Sequence, residues 1–220
     1  MSVITDPQLK SLLDGLHARS DAQIAELERF WAGQASYPST EDEIKAFRSD
    51  KLVALDRDKA ELCYQLCRAI DARRIVEIGT SFGVSTLYLA AAVRDNIRAG
   101  GGAGVVIGTE YEPAKANAAR AHFAQAGLSD LIDLREGDLR ETLRAIEGGV
   151  DFMLVDIWIP MARPALELVV PHLRRGAIVI CDNTARFRAE YADYFAFLES
   201  NGFRTMTLPF DGGLELSIRC

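Results

Sequence analysis

From Arg74 onward the chain alternates between short β-branched runs and stretches of helical period. RIVEIG leads into SFGVSTLYLAAAV, GVVIGTE into PAKANAARAHFAQAG, LIDLREG into DLRETLRAI, and VDFMLVD into RPALELVVPHL; AIVICDN closes the series. No other feature constrains the fold as strongly. Strands that alternate with helices pair in parallel, and the helices then cover both faces of the sheet. FRTMTLPF and GLELSIR, separated by Asp211-Gly212-Gly213, predict an antiparallel hairpin at one edge. A ligand of such a sheet sits across the carboxyl ends of its strands.

The N-terminal part reads differently. PQLKSLLDGL and AQIAELERFWAG predict two helices with a cap signal at Ser20-Asp21, and GQASYPSTEDE is a polar break in which Pro38 ends one segment and Ser39 or Thr40 caps the next. A longer amphipathic helix is expected from about Leu52 to Ile70. The chain therefore divides into a helical extension over 1–50 and an α/β domain over 51–220. At 220 residues it is long enough to bury a full core. No apolar run reaches membrane-spanning length, and MSVITDPQLK lacks the basic and apolar stretches of a secretory signal, so the expectation is a cytoplasmic protein with no membrane partner. A formal charge of -7 argues against a nucleic-acid partner. Cys63, Cys67, Cys181 and Cys220 have no zinc spacing and read as packing residues of a reduced protein. His17, His122 and His172 fall in separate helical stretches and read as surface or packing residues.

Chemistry is concentrated where strands end. Glu77-Ile78-Gly79-Thr80-Ser81-Phe82-Gly83 joins the first strand to its helix, and glycines there let the backbone turn sharply toward a ligand at the helix N-terminus. A dinucleotide fingerprint would need glycine at positions 81 and 84, which hold Ser81 and Val84. The second strand ends in Glu110, an acid able to accept hydrogen bonds from ribose hydroxyls. The third ends in Glu136-Gly137-Asp138, where Asp138 can meet an adenine amino group or cap the following helix. The fourth, FMLVDIWIP, ends on Asp156, a carboxylate that is costly at the mouth of an apolar strand unless it binds something. AGGGAG at 99–104 precedes a strand and lacks the Gly-Lys-Ser/Thr ending of a phosphate loop, so it reads as a connection.

The turn E-x-G-x-x-x-G resembles the first motif of class I S-adenosylmethionine-dependent methyltransferases. RIVEIGTSFGVSTLYLA, VVIGTEYEPAKA, REGDLRETL, VDFMLVD and AIVICDN, in that order and at those intervals, resemble the cation-dependent O-methyltransferases of the catechol and caffeoyl-CoA type over about residues 52–220. The resemblance implies a Rossmann-like, mostly parallel seven-stranded sheet with a reversed last strand, and N-terminal helices that cover the active site or form a homodimer. It implies that Glu77, Gly79, Ser81 and Gly83 shape the pocket for the methionine part of S-adenosylmethionine, with Ser85 near its carboxylate. Glu110 would take the ribose, Tyr111 would pack beside the adenosine, and Asp138 would face the adenine. Asp156 would lie at the methyl end and Trp158 against the adenine. Asp156, Asp182 and Asn183 match the family's ligands for a divalent cation, and such hard oxygen donors suit Mg²⁺, Mn²⁺ or Ca²⁺. Asp156 is then the candidate catalytic residue, and the implied partner is a small hydroxylated acceptor, aromatic or aliphatic.

One position departs from the pattern. Many members of the family carry a lysine base three residues after the first metal aspartate, where this chain has Ile159. Three outcomes follow: O-methyl transfer that relies on the metal, transfer to a nitrogen or carbon acceptor, or cofactor binding without turnover. A nicotinamide oxidoreductase, the rival on the same fold, is disfavoured by the broken G-x-G-x-x-G and by the lack of a well-placed Tyr-x-x-x-Lys pair.

Overall fold

The computed structural model describes residues 2–32 and 50–220; the expected break at Pro38 and cap at Ser39 or Thr40 lie outside the described residues. Helix α1 (Pro7–Asp21) starts on an Asp6 carboxylate that accepts from the backbone N–H groups of Gln8 and Leu9, with Pro7 in the first turn. Its buried residues, Leu9, Leu13, Leu16 and His17, form one helical stripe. The helix runs through the expected cap at Ser20-Asp21, and the break falls at Ala22-Gln23, before α2 (Ile24–Ala32).

The next helix, α3, spans Arg57–Ala69, several residues short of the expected start at Leu52. The reason lies in hydrogen bonding. Leu52 exchanges two bonds with the Gln23 side chain (N to Oε1 3.2 Å, O from Nε2 3.1 Å), and the Ala54 N–H donates to Ser20 Oγ at 3.1 Å. Those bonds hold the segment extended against the corner between α1 and α2, so the helix waits for Asp56 at its N-cap.

Strand β1 (Arg74–Ile78) is central. It pairs in parallel with β2 (Val105–Glu110) on one side and β4 (Val150–Val155) on the other; β3 (Ile132–Glu136) extends the sheet beyond β2, and β5 (Leu173–Asp182) beyond β4. The hairpin of β6 (Phe203–Leu208) and β7 (Leu214–Arg219) completes the order β3-β2-β1-β4-β5-β7-β6. Strand β7 lies antiparallel to both neighbours and inserts between β5 and β6, which leaves β6 at the edge.

Two apolar layers flank the sheet. One contains α1, α3 and α4 (Val84–Gly100); the other contains α6 (Leu139–Thr142), α7 (Ala162–Val169) and α8 (Ala192–Ser200). Helix α5 (Pro113–Gln125) packs Ala119 and Phe123 into the first layer. Helix α6 is a single turn, although DLRETLRAI reads as a longer helix. Beyond it the Arg135 guanidinium takes the carbonyls of Thr142 and Ala145, both at 2.8 Å, and the chain turns away. Cys63 and Cys67 point into the core from α3, Cys181 is buried on β5, and all four cysteines are free thiols. Among the described residues no helix is long and apolar enough to cross a membrane.

Candidate functional site

The strand order reverses between β1 and β4: β2 and β3 lie on one side of β1, and the chain then crosses back to build β4 and β5. Open α/β sheets bind ligands in the crevice at such a switch point. The glycine turn after β1 and Asp156 after β4 meet there. The Asp156 N–H donates to the Ile78 carbonyl at 3.0 Å, continuing the ladder past the strand ends. Gly79 has φ +92°, and a Cβ there would overlap the carbonyl oxygen of Asp156. Gly83, at φ +81°, faces the Phe123 ring, which a Cβ would also overlap. Both positions thus require glycine for conformation and for space. Gly83 caps α4 without a side-chain hydrogen bond, and the first turn of that helix carries no acid. Its backbone N–H groups are therefore suited to an anionic group such as a carboxylate.

A buried carboxylate holds this turn from below. Glu77 is fully buried; Ser85 Oγ donates to Oε1 at 2.6 Å, Thr80 Oγ1 to Oε2 at 3.0 Å, and Thr86 Oγ1 also to Oε2. Burial pushes its carboxyl pKa up, against these three hydroxyls, which favour the ionised form. The sequence reading places Glu77 and Ser85 at the cofactor; in the structure the two side chains hydrogen-bond to each other. With no exposed surface, Glu77 acts on the cleft through the loop it fixes.

Ser81, in the left-handed region at φ +50°, donates its N–H to Glu110 Oε2 at 2.7 Å, and Glu110 Oε1 accepts from the Glu112 N–H at 2.8 Å. Glu110 thus stands half-buried beside the glycine turn. Tyr111 is exposed next to it. Asp138 caps α6 by accepting from the Arg140 N–H at 2.9 Å, and its carboxylate also pairs with the Arg140 guanidinium. Of the two roles the sequence leaves open for Asp138, this is the capping one. Trp158, half-buried, opens the 3-10 turn Ile159–Met161. Ile159 is turned into the second apolar layer and is buried.

A cavity of about 730 Å³ opens from Asp156. Its walls include His17 and Asp21 of α1, Ile24 and Leu27 of α2, Asp182 and Asn183 at the end of β5, and Phe187. The three candidate cation ligands therefore face one space. Asp182 is buried; its Oδ2 accepts from Asn183 Nδ2 at 2.7 Å, and its Oδ1 accepts from Lys59 Nζ at 2.8 Å. Among the described residues no three His, Cys, Asp or Glu side chains converge. The candidate set is two carboxylates and an amide, hard oxygen donors that fit Mg²⁺, Mn²⁺ or Ca²⁺.

Lys59 escaped the sequence reading. It sits on the buried stripe of α3 with Cys63 and Cys67, and a charged residue on an apolar stripe is the signal that marks it. Its second partner is Asp56 Oδ2 at 2.8 Å. Burial works against its charge, but Asp182 and Asp56 outweigh it, and the Lys59 pKa is raised. His17 also lines the cavity, with Nε2 3.2 Å from Tyr88 Oη; burial, followed by the nearby Arg57, lowers its pKa.

A seven-stranded sheet with a reversed seventh strand, a glycine turn at the switch point and an acid at the end of β2 are the features of the class I methyltransferase fold. Its sequence is similar to that of methyltransferases as well. A family described as a methyltransferase domain matches residues 76–184. The catechol O-methyltransferase of Mycobacterium tuberculosis is 32% identical over 135 residues, 61% of this chain and 58% of that protein. That of Niastella koreensis is 29% identical over 130 residues, 57% of this chain and 54% of that protein. The matched segments thus span little more than half the length of these two relatives. In fold the chain is similar to an O-methyltransferase from Bacillus cereus solved in complex with SAH. The TM-score is 0.72 at 18% identity, with 99% of this chain and 93% of the other covered.

Proposed function

We propose that the protein is an S-adenosylmethionine-dependent O-methyltransferase acting on a small hydroxylated, aromatic acceptor. The observation that carries this reading is the meeting of Gly79 and Asp156 at the switch point, with the large cavity opening from Asp156. Bound S-adenosylmethionine supplies an electrophilic methyl group on a sulfonium. The chain's part is to bind and orient. Backbone N–H groups at the start of α4 would receive the methionine carboxylate, and the Glu110 carboxylate would receive the ribose hydroxyls. Tyr111, Asp138 and Trp158 are the candidates for the adenine side.

The acceptor would occupy the cavity between the N-terminal helices and Asp156, where Ile24, Leu27 and Phe187 offer apolar surface to a ring. Asp156 accepts a hydrogen bond from the acceptor hydroxyl and aligns its oxygen for in-line attack; such positioning supplies much of the rate in a displacement of this type. Asp156, Asp182 and Asn183 would hold a divalent cation, which when bound lowers the pKa of an acceptor hydroxyl. Ile159 contributes no base. A second reading, cofactor binding without turnover, draws on the burial of that residue. We expect a homodimer, which light scattering checks.

Calorimetry with S-adenosylhomocysteine tests the core of the proposal, and no binding to folded protein would sink it. Turnover of catechols with and without a chelator tests the finer reading. Asp156→Ala should lower kcat by about 10²-fold or more, since it removes both alignment and a proton acceptor.

A further inference from the structure

We infer that Lys59 is a positioning residue that presents Asp182 to a divalent cation in the acceptor cavity. The inference rests on the methyltransferase reading of the same site and adds a residue that neither the motifs nor the matched family segment contains; that segment begins at residue 76.

Lys59 and Asp182 lie 123 residues apart in sequence and join the first turn of α3 to the end of β5. Both are buried, and both line the cavity that Asp156 and Asn183 also line. The contacts divide the Asp182 carboxylate between its two oxygens. Oδ1 is taken by the Lys59 ammonium, which also pairs with Asp56 Oδ2 at 2.8 Å. Oδ2 is left on the Asn183 side, 2.7 Å from that side-chain amide. Half a turn of the amide exchanges its nitrogen for its oxygen, and Asp182 Oδ2 and Asn183 Oδ1 then offer two neutral-to-anionic oxygen donors side by side. With Oδ1 occupied, Asp182 can offer a cation one oxygen only. An ion pair between two buried side chains is a poor source of stability compared with apolar packing. Holding a ligating carboxylate by its outer oxygen is what outer partners of metal ligands do, and losing such a partner typically costs about 10–100-fold in metal affinity.

The test measures Mn²⁺ binding to the ligand-free protein by calorimetry and by electron paramagnetic resonance of the free ion, with S-adenosylhomocysteine affinity taken on the same samples. Wild-type protein should bind Mn²⁺. Lys59→Met should bind it about 10–100-fold more weakly and keep its S-adenosylhomocysteine affinity, while Lys59→Arg, which retains the charge, should restore Mn²⁺ binding. Equal or tighter Mn²⁺ binding by Lys59→Met, a loss shared with Lys59→Arg, or no Mn²⁺ binding by wild-type protein overturns the inference. If Lys59→Met fails to fold, Asp56→Asn frees the ammonium on one side and should weaken Mn²⁺ binding; unchanged binding then overturns it. Absent S-adenosylhomocysteine binding in wild-type protein counts against the methyltransferase reading instead, so the two failures separate.

Discussion

Gly79 and Asp156 touch backbone to backbone across the point where the strand order reverses. The approach is so close that a Cβ on Gly79 would overlap the Asp156 carbonyl oxygen. The same contact closes the crevice on one side and places the candidate catalytic carboxylate beside the cofactor turn.

Gly79→Ala should therefore be costly twice over. Its φ of +92° is strained for any residue with a Cβ, and the overlap is with main chain, which cannot swing aside. Strain of this kind costs about 1–3 kcal/mol, so we expect a loss of at least about 2 kcal/mol in urea unfolding and no measurable S-adenosylhomocysteine binding. Wild-type affinity in this variant would show that the turn does not form the cofactor site.

Glu77 provides a comparison between two hydroxyls. Ser85 and Thr86 both donate to its carboxylate, one to each oxygen, and Thr86 is fully buried. A hydrogen bond to a charged group contributes about 1.5–3 kcal/mol. Ser85→Ala and Thr86→Val should each destabilise by about that amount. If Ser85 serves Glu77 alone, the two variants will show matching S-adenosylhomocysteine affinities. A selective loss in Ser85→Ala would give Ser85 the direct cofactor contact that the motif resemblance implies.

Much of this architecture is legible in local sequence. Strands β1 to β5, the hairpin around Asp211-Gly212-Gly213 and the cleft at the strand ends follow from period and turn chemistry alone. The start of α3 was not legible, because Leu52 and Ala54 are held extended by Gln23 and Ser20, about thirty residues earlier in the chain. The insertion of β7 between β5 and β6 depends on pairings such as Cys181 with Glu215, which no local pattern encodes. Lys59 has the same explanation: its helix shows where it is buried, but its partner Asp182 lies across the fold. Glu110 and Asp156 stand beside the glycine turn, where their positions at strand ends put them. The bond between Ser85 and Glu77 was not legible, because a strand-end motif reports the chain's path more reliably than it reports where each side chain points.

Ile159 tests whether the missing lysine can simply be put back. It packs within the second apolar layer and does not line the acceptor cavity. Ile159→Lys would remove a buried aliphatic group and bring in a charge, so we expect destabilisation of at least about 2 kcal/mol and no gain in kcat. A faster enzyme of unchanged stability would mean that the 3-10 turn can present position 159 to the acceptor.

His17 gives the acceptor wall a pH dependence. Burial holds its pKa below the ordinary value of 6.5; Arg57 adds to this, and Asp21, Asp14 and Asp56 oppose it. Between the lowered native value and 6.5 the unfolded chain binds a proton that the native state does not. Stability therefore rises with pH through that window and falls as the solution is acidified below about 6.5. His17→Gln removes the titrating group and can still meet the Tyr88 hydroxyl. Chemical unfolding of both proteins between about pH 7.5 and about pH 5.5 should show a shallower loss in the variant. Parallel curves would mean that His17 is protonated as easily in the folded protein as in the unfolded chain, and that the wall of α1 around it admits water freely.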